Sequence, residues 1–253
     1  MLRSEFELLL DKTLSPSRFK DYAPNGLQVE GKTDIHRVVT GVTASQALID
    51  AAIEYNADAI FVHHGYFWKN EDPRIVGMKY RRISALIKHD INLYGYHLPL
   101  DAHPELGNNA GLADALGLIN RSGLQSNVAF EESIGVVGEL GEPMAIAAFR
   151  CAIERAVGRD VLFECVGDKD IRRVALCTGG AQGYIEQAIA VGADVFITGE
   201  VSEQTIHIAR EMGIHFVAAG HHATERFGAQ SMAVFLSKEC GLDAVFIDID
   251  NPA

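Results

Sequence analysis

The sequence is poor in cysteine and has no long apolar run. Its four cysteines form no C-x-x-C pair, which favours a cytoplasmic protein with reduced, packed thiols. No segment approaches the run of roughly eighteen apolar residues that a membrane span needs. The opening stretch, MLRSEFELLLDK, carries acids among its leucines and lacks a small-residue cleavage site. It predicts an amphipathic helix rather than a signal peptide, and no membrane partner.

Basic residues are also scarce. The chain has 22 Lys and Arg against 34 Asp and Glu, which gives a net charge of −12. A chain of this charge repels the phosphates of nucleic acid, so nucleic acid is not the expected default partner. The 48% of hydrophobic residues is typical of a globular protein. The 253 residues suffice for one large domain or two small ones.

The chain repeats itself. The segment RVVTGVTASQALIDAAIEYNADAIFVHH (37–64) aligns without a gap with RVALCTGGAQGYIEQAIAVGADVFITGE (173–200). Each predicts an apolar strand, a Gly/Thr turn, an amphipathic helix and a second apolar strand. Continuous apolar strands such as AIFV are typical of parallel sheets covered on both faces. Further along, the H-x-x-x-D of 97–101 corresponds to the H-x-x-x-E of 221–225.

These repeats predict the fold class: two repeat-related α/β domains with largely parallel sheets. We expect a metal site between them at the carboxyl ends of strands, where open α/β sheets carry their sites. The predicted domains are 1–126 and 127–253, divided where the sequence turns polar near Gln125. The last predicted strand, within AVFLSKECGLDAVFIDID (233–250), can join either sheet.

Histidines and carboxylates follow these strands. His63 and His64 end the strand AIFV, and two adjacent imidazoles at a strand end can serve two neighbouring ions. A pair hydrogen-bonded to backbone is the alternative. His221 and Glu225 follow a later strand and can share one helical face. A carboxylate can bridge two ions, although an acid in a first helical turn would also explain Glu225.

The H-x-x-x-D motif adds Asp101 as a candidate. It follows an apolar stretch, where a charged side chain needs a specific partner. We interpret Asp101 as a ligand and His97 as its neighbour or second-layer support. A hydrogen-bonded core histidine is an equal alternative for His97. Tyr66 and Trp68, just after the histidine pair, either line a substrate pocket or pack in the core.

The five candidate ligands indicate a chemistry. His63, His64, Asp101, His221 and Glu225 combine imidazole with carboxylate, which suits zinc, iron, manganese or cobalt better than calcium or copper(I). Two such ions commonly serve hydrolysis. The turns TGGAQG (178–183) and TGVTAS (40–45) resemble phosphate-binding turns, but tight-turn and capping roles explain them better. Pro24-Asn25-Gly26 in DYAPNG is a turn signal before the first strand.

Five stretches together resemble the YbgI-type bacterial proteins of the Nif-three-like family, also called GTP cyclohydrolase 1 type 2 homologues. They are NGLQVEG (25–31), VHHGYFW (62–68), YGYHLPLDAHPELGNN (94–109), FITGEVSEQTIH (196–207) and AAGHHATER (218–226). The resemblance covers essentially the whole chain. It implies two related α/β domains and a dinuclear site at the residues matching His63, His64, Asp101, His221 and Glu225, with the glutamate bridging. It also implies a toroidal homohexamer.

Three functions compete at this point. The first is a metal-dependent hydrolase, GTP cyclohydrolase-like, that acts on a small molecule such as a purine nucleotide with two iron, zinc or manganese ions per chain. The second is a metal-binding interaction protein without catalysis. The third is a stress or DNA-repair factor, against which the net charge of −12 argues. No sequence feature identifies a catalytic residue or the substrate.

Overall fold

The computed structural model describes all 253 residues as two compact units. The first comprises Met1–Leu100 and Gly228–Asp250, and the second comprises Asp101–Phe227 and Asn251–Ala253. The sequence-based division, 1–126 and 127–253, places the boundary later. The difference arises because the strand at 119–123 pairs within the second unit's sheet.

The strands are β1 (Gly26–Val29), β2 (Arg37–Thr43), β3 (Ala59–His64), β4 (Asn92–Gly95), β5 (Ile119–Gly123), β6 (Val136–Met144), β7 (Leu162–Glu164), β8 (Ile171–Leu176), β9 (Val195–Thr198), β10 (His215–Ala218) and β11 (Asp243–Phe246). The helices are α1 (Arg3–Leu14), α2 (Gln46–Glu54), α3 (Gly77–Lys88), α4 (Leu98–Ala102), α5 (Asn108–Ala115), α6 (Ile146–Val157), α7 (Ile185–Ala190), α8 (Glu203–Met212), α9 (His221–Thr224) and α10 (Arg226–Lys238). None of the helices combines the length and the apolarity that crossing a membrane requires.

The first unit has a five-stranded sheet in the order β1-β4-β3-β2-β11. Strands β4, β3, β2 and β11 run parallel, and β1 pairs antiparallel with β4 at one edge. The apolar run AIFV is fully buried in β3, as a parallel strand covered on both faces should be. Helix α2 begins after Ser45, whose hydroxyl accepts the Leu48 N–H at 3.2 Å. The last strand thus joins the first sheet.

The second unit has a six-stranded sheet in the order β5-β6-β8-β9-β10-β7. The central strands β8, β9 and β10 are parallel, whereas β5, β6 and β7 pair antiparallel around them. Phe149 and Ile153 of α6 pack with Val174, Val195 and Val217 of the sheet in one hydrophobic core. The fold is therefore mixed α/β, and the two sheets taken together are largely parallel, with antiparallel strands flanking the parallel centre of the second.

The internal repeat extends to the hydrogen bonds. Val38 of β2 pairs with Ala59 of β3, and the aligned Val174 of β8 pairs with Val195 of β9. The aspartate before the second strand is the same in both copies. Asp58 accepts the N–H groups of 36 and 37 and pairs with Lys32. Asp194 accepts those of 172 and 173 and pairs with Lys169. The two copies therefore share one local design.

We expect Asp58→Asn and Asp194→Asn to destabilise their units by about 1.5–3 kcal/mol each, because each removes charged hydrogen bonds. Burial alone would raise the pKa of Asp58, but the bonds from Lys32 and the backbone outweigh it and lower the pKa below 3.8. Since the folded pKa is lowered, this stabilisation is complete above about pH 4 and is lost on further acidification. Urea unfolding at pH 7 and pH 3.5 measures both effects.

The control for this pair is Asp50→Asn, on the exposed face of α2. It should leave the free energy of unfolding within about 0.5 kcal/mol of the parent. An Asp58→Asn protein as stable as the Asp50→Asn protein at pH 7 would contradict the assignment.

Candidate metal centre

In the first unit, β3 ends in two histidines whose rings lie close together. His63 is 1% exposed, and the His63 and His64 ring centroids lie 4.5 Å apart. His63 Nδ1 lies 3.2 Å from the carbonyl oxygen of Tyr96. A carbonyl can only accept, so Nδ1 carries the proton and the ring's lone pair is on Nε2. His64 Nδ1 lies 3.3 Å from Thr43 Oγ1. Strand-end hydrogen bonds therefore set both rings.

His97, two residues beyond β4, joins this pair. Its ring centroid lies 5.0 Å from that of His63 and 5.7 Å from that of His64. One ring nitrogen from each of the three residues lies within 4.8 Å of the others. His97 Nδ1 donates to Asp21 Oδ1 at 2.7 Å. The first unit thus carries three histidines that could hold a metal ion.

Asp21 anchors His97 from the turn before β1, and the sequence did not single it out. Its carboxylate also accepts the Leu98 N–H and an Asn25 amide hydrogen, each at 2.9 Å. Asn25 in turn accepts the His97 N–H at 2.8 Å. Burial would raise the pKa of Asp21, but the hydrogen bond and charge of His97 and the other donors outweigh it and hold the pKa at about 2. The only signal was an acid beside a turn motif.

The two aromatic candidates, Tyr66 and Trp68, lie in different surroundings. The Tyr66 hydroxyl donates to the Ala44 carbonyl at 2.7 Å, and its ring packs in the first unit's hydrophobic core. Trp68 instead stands edge-on to His97, with ring centroids 4.9 Å apart, and lies 5.8 Å from His64. Trp68 therefore borders the histidine group, while Tyr66 packs beneath it.

In the second unit, Asp101 lies in the short helix α4 and is 5% exposed. Its Oδ1 accepts the Asn108 amide at 2.9 Å and the Thr178 hydroxyl at 3.4 Å. Asn109 donates to the Asp101 carbonyl and accepts the Thr178 N–H, which ties α5 to the end of β8. These bonds orient a buried carboxylate whose charge is stabilised by donors.

His221 and Glu225 meet across one turn, as the i, i+4 spacing predicts. His221 Nε2 lies 3.2 Å from Glu225 Oε2, and His221 Nδ1 lies 2.7 Å from Glu200 Oε1. The hydrogen bond to Glu225 raises the pKa of His221; burial opposes it, but the charges of Glu225 and Glu200 reinforce it, and the pKa reaches about 9. Glu200 is not among the residues predicted from the sequence, although the repeat aligns it with His64. That alignment was the available signal.

The backbone of the TGGAQG turn lies close to the side chains of His221 and Glu225. Gly179 has φ +71°, and a Cβ built on it would lie 2.0 Å from Glu225 Oε1 and 3.2 Å from His221 Nε2. The Gly179 N–H donates to Thr224 Oγ1 at 3.0 Å. The turn is tight, as its sequence indicates, and its glycine also makes room for the carboxylate.

The donor set of these residues fits a transition-metal ion. Buried His, Asp and Glu side chains offer imidazole nitrogens and carboxylate oxygens, the ligands that suit zinc, iron, manganese and cobalt. Cys177 is the nearby sulfur, but burial, together with the charges of Asp101 and Glu225, raises the pKa of its thiol well above the usual range. A thiol in that state is a poor ligand.

The chain is similar to known proteins over its whole length. Residues 1–252 match the family described as Duf34/NIF3 (NGG1p interacting factor 3). The chain is 58% identical over 251 residues to a "GTP cyclohydrolase 1 type 2 homolog" of Haemophilus influenzae, covering 98% of each. A solved structure described as "protein ybgI, unknown function" superposes with a TM-score of 0.95 at 52% identity. A second, from Thermus thermophilus, gives 0.89 at 35%. Both cover 100% of each chain.

Proposed function

Because the chain belongs to the Duf34/NIF3 family, we propose that it is a metal-dependent hydrolase with a dinuclear centre. Two divalent ions, of iron, zinc or manganese, are held by His63, His64, Asp101, His221 and Glu225, and Glu225 bridges them. The observation that carries the proposal is the way the donors are held. The three imidazoles each have Nδ1 hydrogen-bonded to a protein oxygen, the outer-layer pattern typical of ligating histidines.

When bound, a pair of such ions lowers the pKa of water and polarises a carbonyl or phosphoryl oxygen. The chain's own residues supply position and charge. Asn108 and Thr178 turn Asp101 so that its second oxygen, Oδ2, serves as the ligand. Because Gly179 has no Cβ, the Glu225 carboxylate can lie close to the backbone there. Glu200 accepts from His221 Nδ1, so Nε2, which donates to Glu225, would be the nitrogen that binds an ion after losing its proton.

The proposed substrate is a small molecule such as a purine nucleotide, since the relatives bear the name GTP cyclohydrolase 1 type 2 homolog. A cavity of about 270 Å³ in the second unit offers room for part of such a ligand, although it is smaller than the roughly 300–1,000 Å³ of drug-sized ligand sites. Its lining includes Gly180, Gln182, Ser202 and Thr205. Gly180 also lies beside Glu200 and His221. The proposal further includes a homohexameric assembly and a cytoplasmic location.

The test combines metal content with turnover. We supply the purified chain in turn with Fe²⁺, Mn²⁺, Zn²⁺ and Co²⁺ and expect it to hold close to two ions. We also expect it to hydrolyse the imidazole ring of GTP, which is measured as formate release. Asp101→Asn should reduce the rate by at least about 100-fold, because it weakens the ion pair on which hydrolysis depends. Asp50→Asn, on the exposed face of α2, is the matched control and should leave the rate unchanged.

Two results would contradict the proposal. A folded chain that takes up none of the four metals would exclude the metal centre itself. A chain that holds two ions but releases formate no faster than Asp101→Asn would exclude GTP hydrolysis and favour the metal-binding interaction protein.

A further inference from the structure

Trp68 is the chain's one tryptophan, and its indole lies beside two imidazoles of the first unit. The centroid of its ring lies 4.9 Å from that of His97 and 5.8 Å from that of His64. We propose that this indole is the surface on which the base of a purine nucleotide stacks, so that Trp68 selects planar aromatic substrates. The inference rests on the proposed function for the class of substrate and adds the residue that recognises it.

The polar group of the indole already has a partner. Its Nε1–H donates to the Gly65 carbonyl oxygen at 3.2 Å, and an indole has no second hydrogen-bonding group. The Trp68 side chain is nevertheless only half-buried, so part of the ring remains in contact with solvent. What Trp68 can still offer a ligand is apolar area and a π face, and a planar base uses both when it stacks.

The loop that carries Trp68 is held in a conformation that its sequence does not favour. Phe67 has φ +65° and Asn70 has φ +70°. Asparagine tolerates this left-handed region, but an aromatic residue adopts it rarely and at a cost. Costs of this kind persist where surrounding contacts enforce them, and they concentrate at ligand-binding sites. Because Phe67 immediately precedes Trp68, its conformation helps to set the direction of the indole.

Lys79, in the first turn of α3, supplies contacts that enforce this conformation. Its ammonium nitrogen lies 5.0 Å from the centre of the Phe67 ring, 3.1 Å from Glu71 Oε2 and 3.2 Å from the Asp72 carbonyl oxygen. Glu71 Oε2 also accepts the Trp68 backbone N–H at 3.2 Å. The Lys79 side chain is 10% exposed, and a charge buried to this extent requires such partners. Lys79 is therefore a positioning residue for Trp68.

The competing explanation is that Trp68 only covers the neighbouring imidazoles and keeps water from them. A cover needs apolar bulk, whereas stacking needs an aromatic face. Trp68→Leu retains apolar bulk without such a face, and Trp68→Phe retains a smaller face. If Trp68 stacks on a base, the affinity for a nucleotide falls from the parent to Trp68→Phe and further to Trp68→Leu. If it is only a cover, the two variants bind the nucleotide equally well.

The experiment measures the binding of GMP to the full chain, once loaded with Zn²⁺ and once stripped of metal by a chelator. Selectively excited tryptophan emission comes from Trp68 alone, since the chain has no other tryptophan. We expect GMP to quench this emission saturably, and ribose 5-phosphate, which lacks the base, to leave it unchanged. In equilibrium dialysis, Trp68→Leu should bind GMP at least about 5-fold more weakly than the parent, in line with the loss of one base–aromatic stack. Tyr80→Leu, which removes an exposed ring of α3, is the matched control and should bind GMP like the parent.

The role of Lys79 has a separate readout. Lys79→Met keeps an unbranched side chain near Phe67 and removes the charge that holds the loop. We expect the Trp68 emission of the unliganded protein to shift to longer wavelength and the GMP affinity to fall. Lys88→Met, exposed at the other end of α3, is the matched control and should change neither. Parent-like emission and affinity in folded Lys79→Met would refute the positioning role.

Three results would overturn the stacking role: equal effects of GMP and ribose 5-phosphate on the emission, parent-like GMP affinity in folded Trp68→Leu, or equal affinities in Trp68→Phe and Trp68→Leu. Formate release without base-dependent quenching would refute stacking and leave the proposed function standing. Base-dependent quenching without formate release would support stacking and count against hydrolysis. Should Trp68→Leu fail to fold, the parent decides, because quenching by GMP but not by ribose 5-phosphate supports stacking and its absence refutes it.

Discussion

Glu225→Gln should lose both metal ions together. Glu225 is 3% exposed, and its Oε2 lies 3.2 Å from His221 Nε2, so its carboxylate is shielded from solvent beside another proposed ligand. Two cations a few ångströms apart repel each other, and a shared carboxylate offsets that repulsion directly. The amide of glutamine keeps the shape, removes the charge and offers one good donor oxygen. Ions per chain, measured by elemental analysis on protein with unchanged circular dichroism, reports the result.

Single-ligand variants supply the comparison. His63→Asn and Asp101→Asn should each lower the occupancy of one ion more than that of the other, because a terminal ligand binds a single ion. If Glu225 is only an acid preceding α10, Glu225→Gln costs about 0.3–1 kcal/mol of helix-terminus stabilisation and no metal. Full metal content in folded Glu225→Gln would therefore refute the bridging role.

Gly179→Ala should have the second large effect. The residue adopts φ +71°, which costs a non-glycine residue about 1–2 kcal/mol. Its new methyl would also overlap Glu225 Oε1 at 2.0 Å, so the carboxylate must move. We expect a lower free energy of unfolding, measured in urea. We also expect at least a tenfold loss of metal affinity, measured by chelator competition.

Two other glycines separate the causes. Gly192 has φ +70° with no atom within 4 Å of its built Cβ, so Gly192→Ala should show the backbone cost alone. Gly183, in the same turn motif as Gly179, has open space and no positive φ, so Gly183→Ala should be nearly neutral. Metal affinity in Gly179→Ala equal to that in Gly192→Ala would show that the close approach to Glu225 does not matter.

The repeat explains why much of the fold was predictable. Strand β3 and strand β9 are short apolar runs with a helix before each, and a parallel sheet is the arrangement that buries such runs on both faces. The aligned residues Asp58 and Asp194 then make the same hydrogen bonds. Local patterns and their duplication were sufficient at this level.

Long-range contacts were not predictable in the same way. Asp21 reaches His97 across most of the first unit's sequence, and nothing in DYAPNG specifies that partner. Glu200 pairs with His221 after an intervening helix and strand. The boundary after Leu100 depends on which sheet accepts β5, a choice made by packing. Such pairings arise from tertiary structure, which a period in the sequence does not encode.

The return of β11 to the edge of β2 has a consequence for synthesis. The ribosome delivers β2 and its neighbours early, but the strand that pairs with β2 from Arg37 to Thr40 spans Asp243–Phe246. Until that strand emerges, the backbone donors and acceptors along one side of β2 have no sheet partner, and an open strand edge invites pairing with another chain. The nascent first unit is therefore exposed to aggregation throughout the translation of the second, and becomes protected only once β11 has left the ribosome.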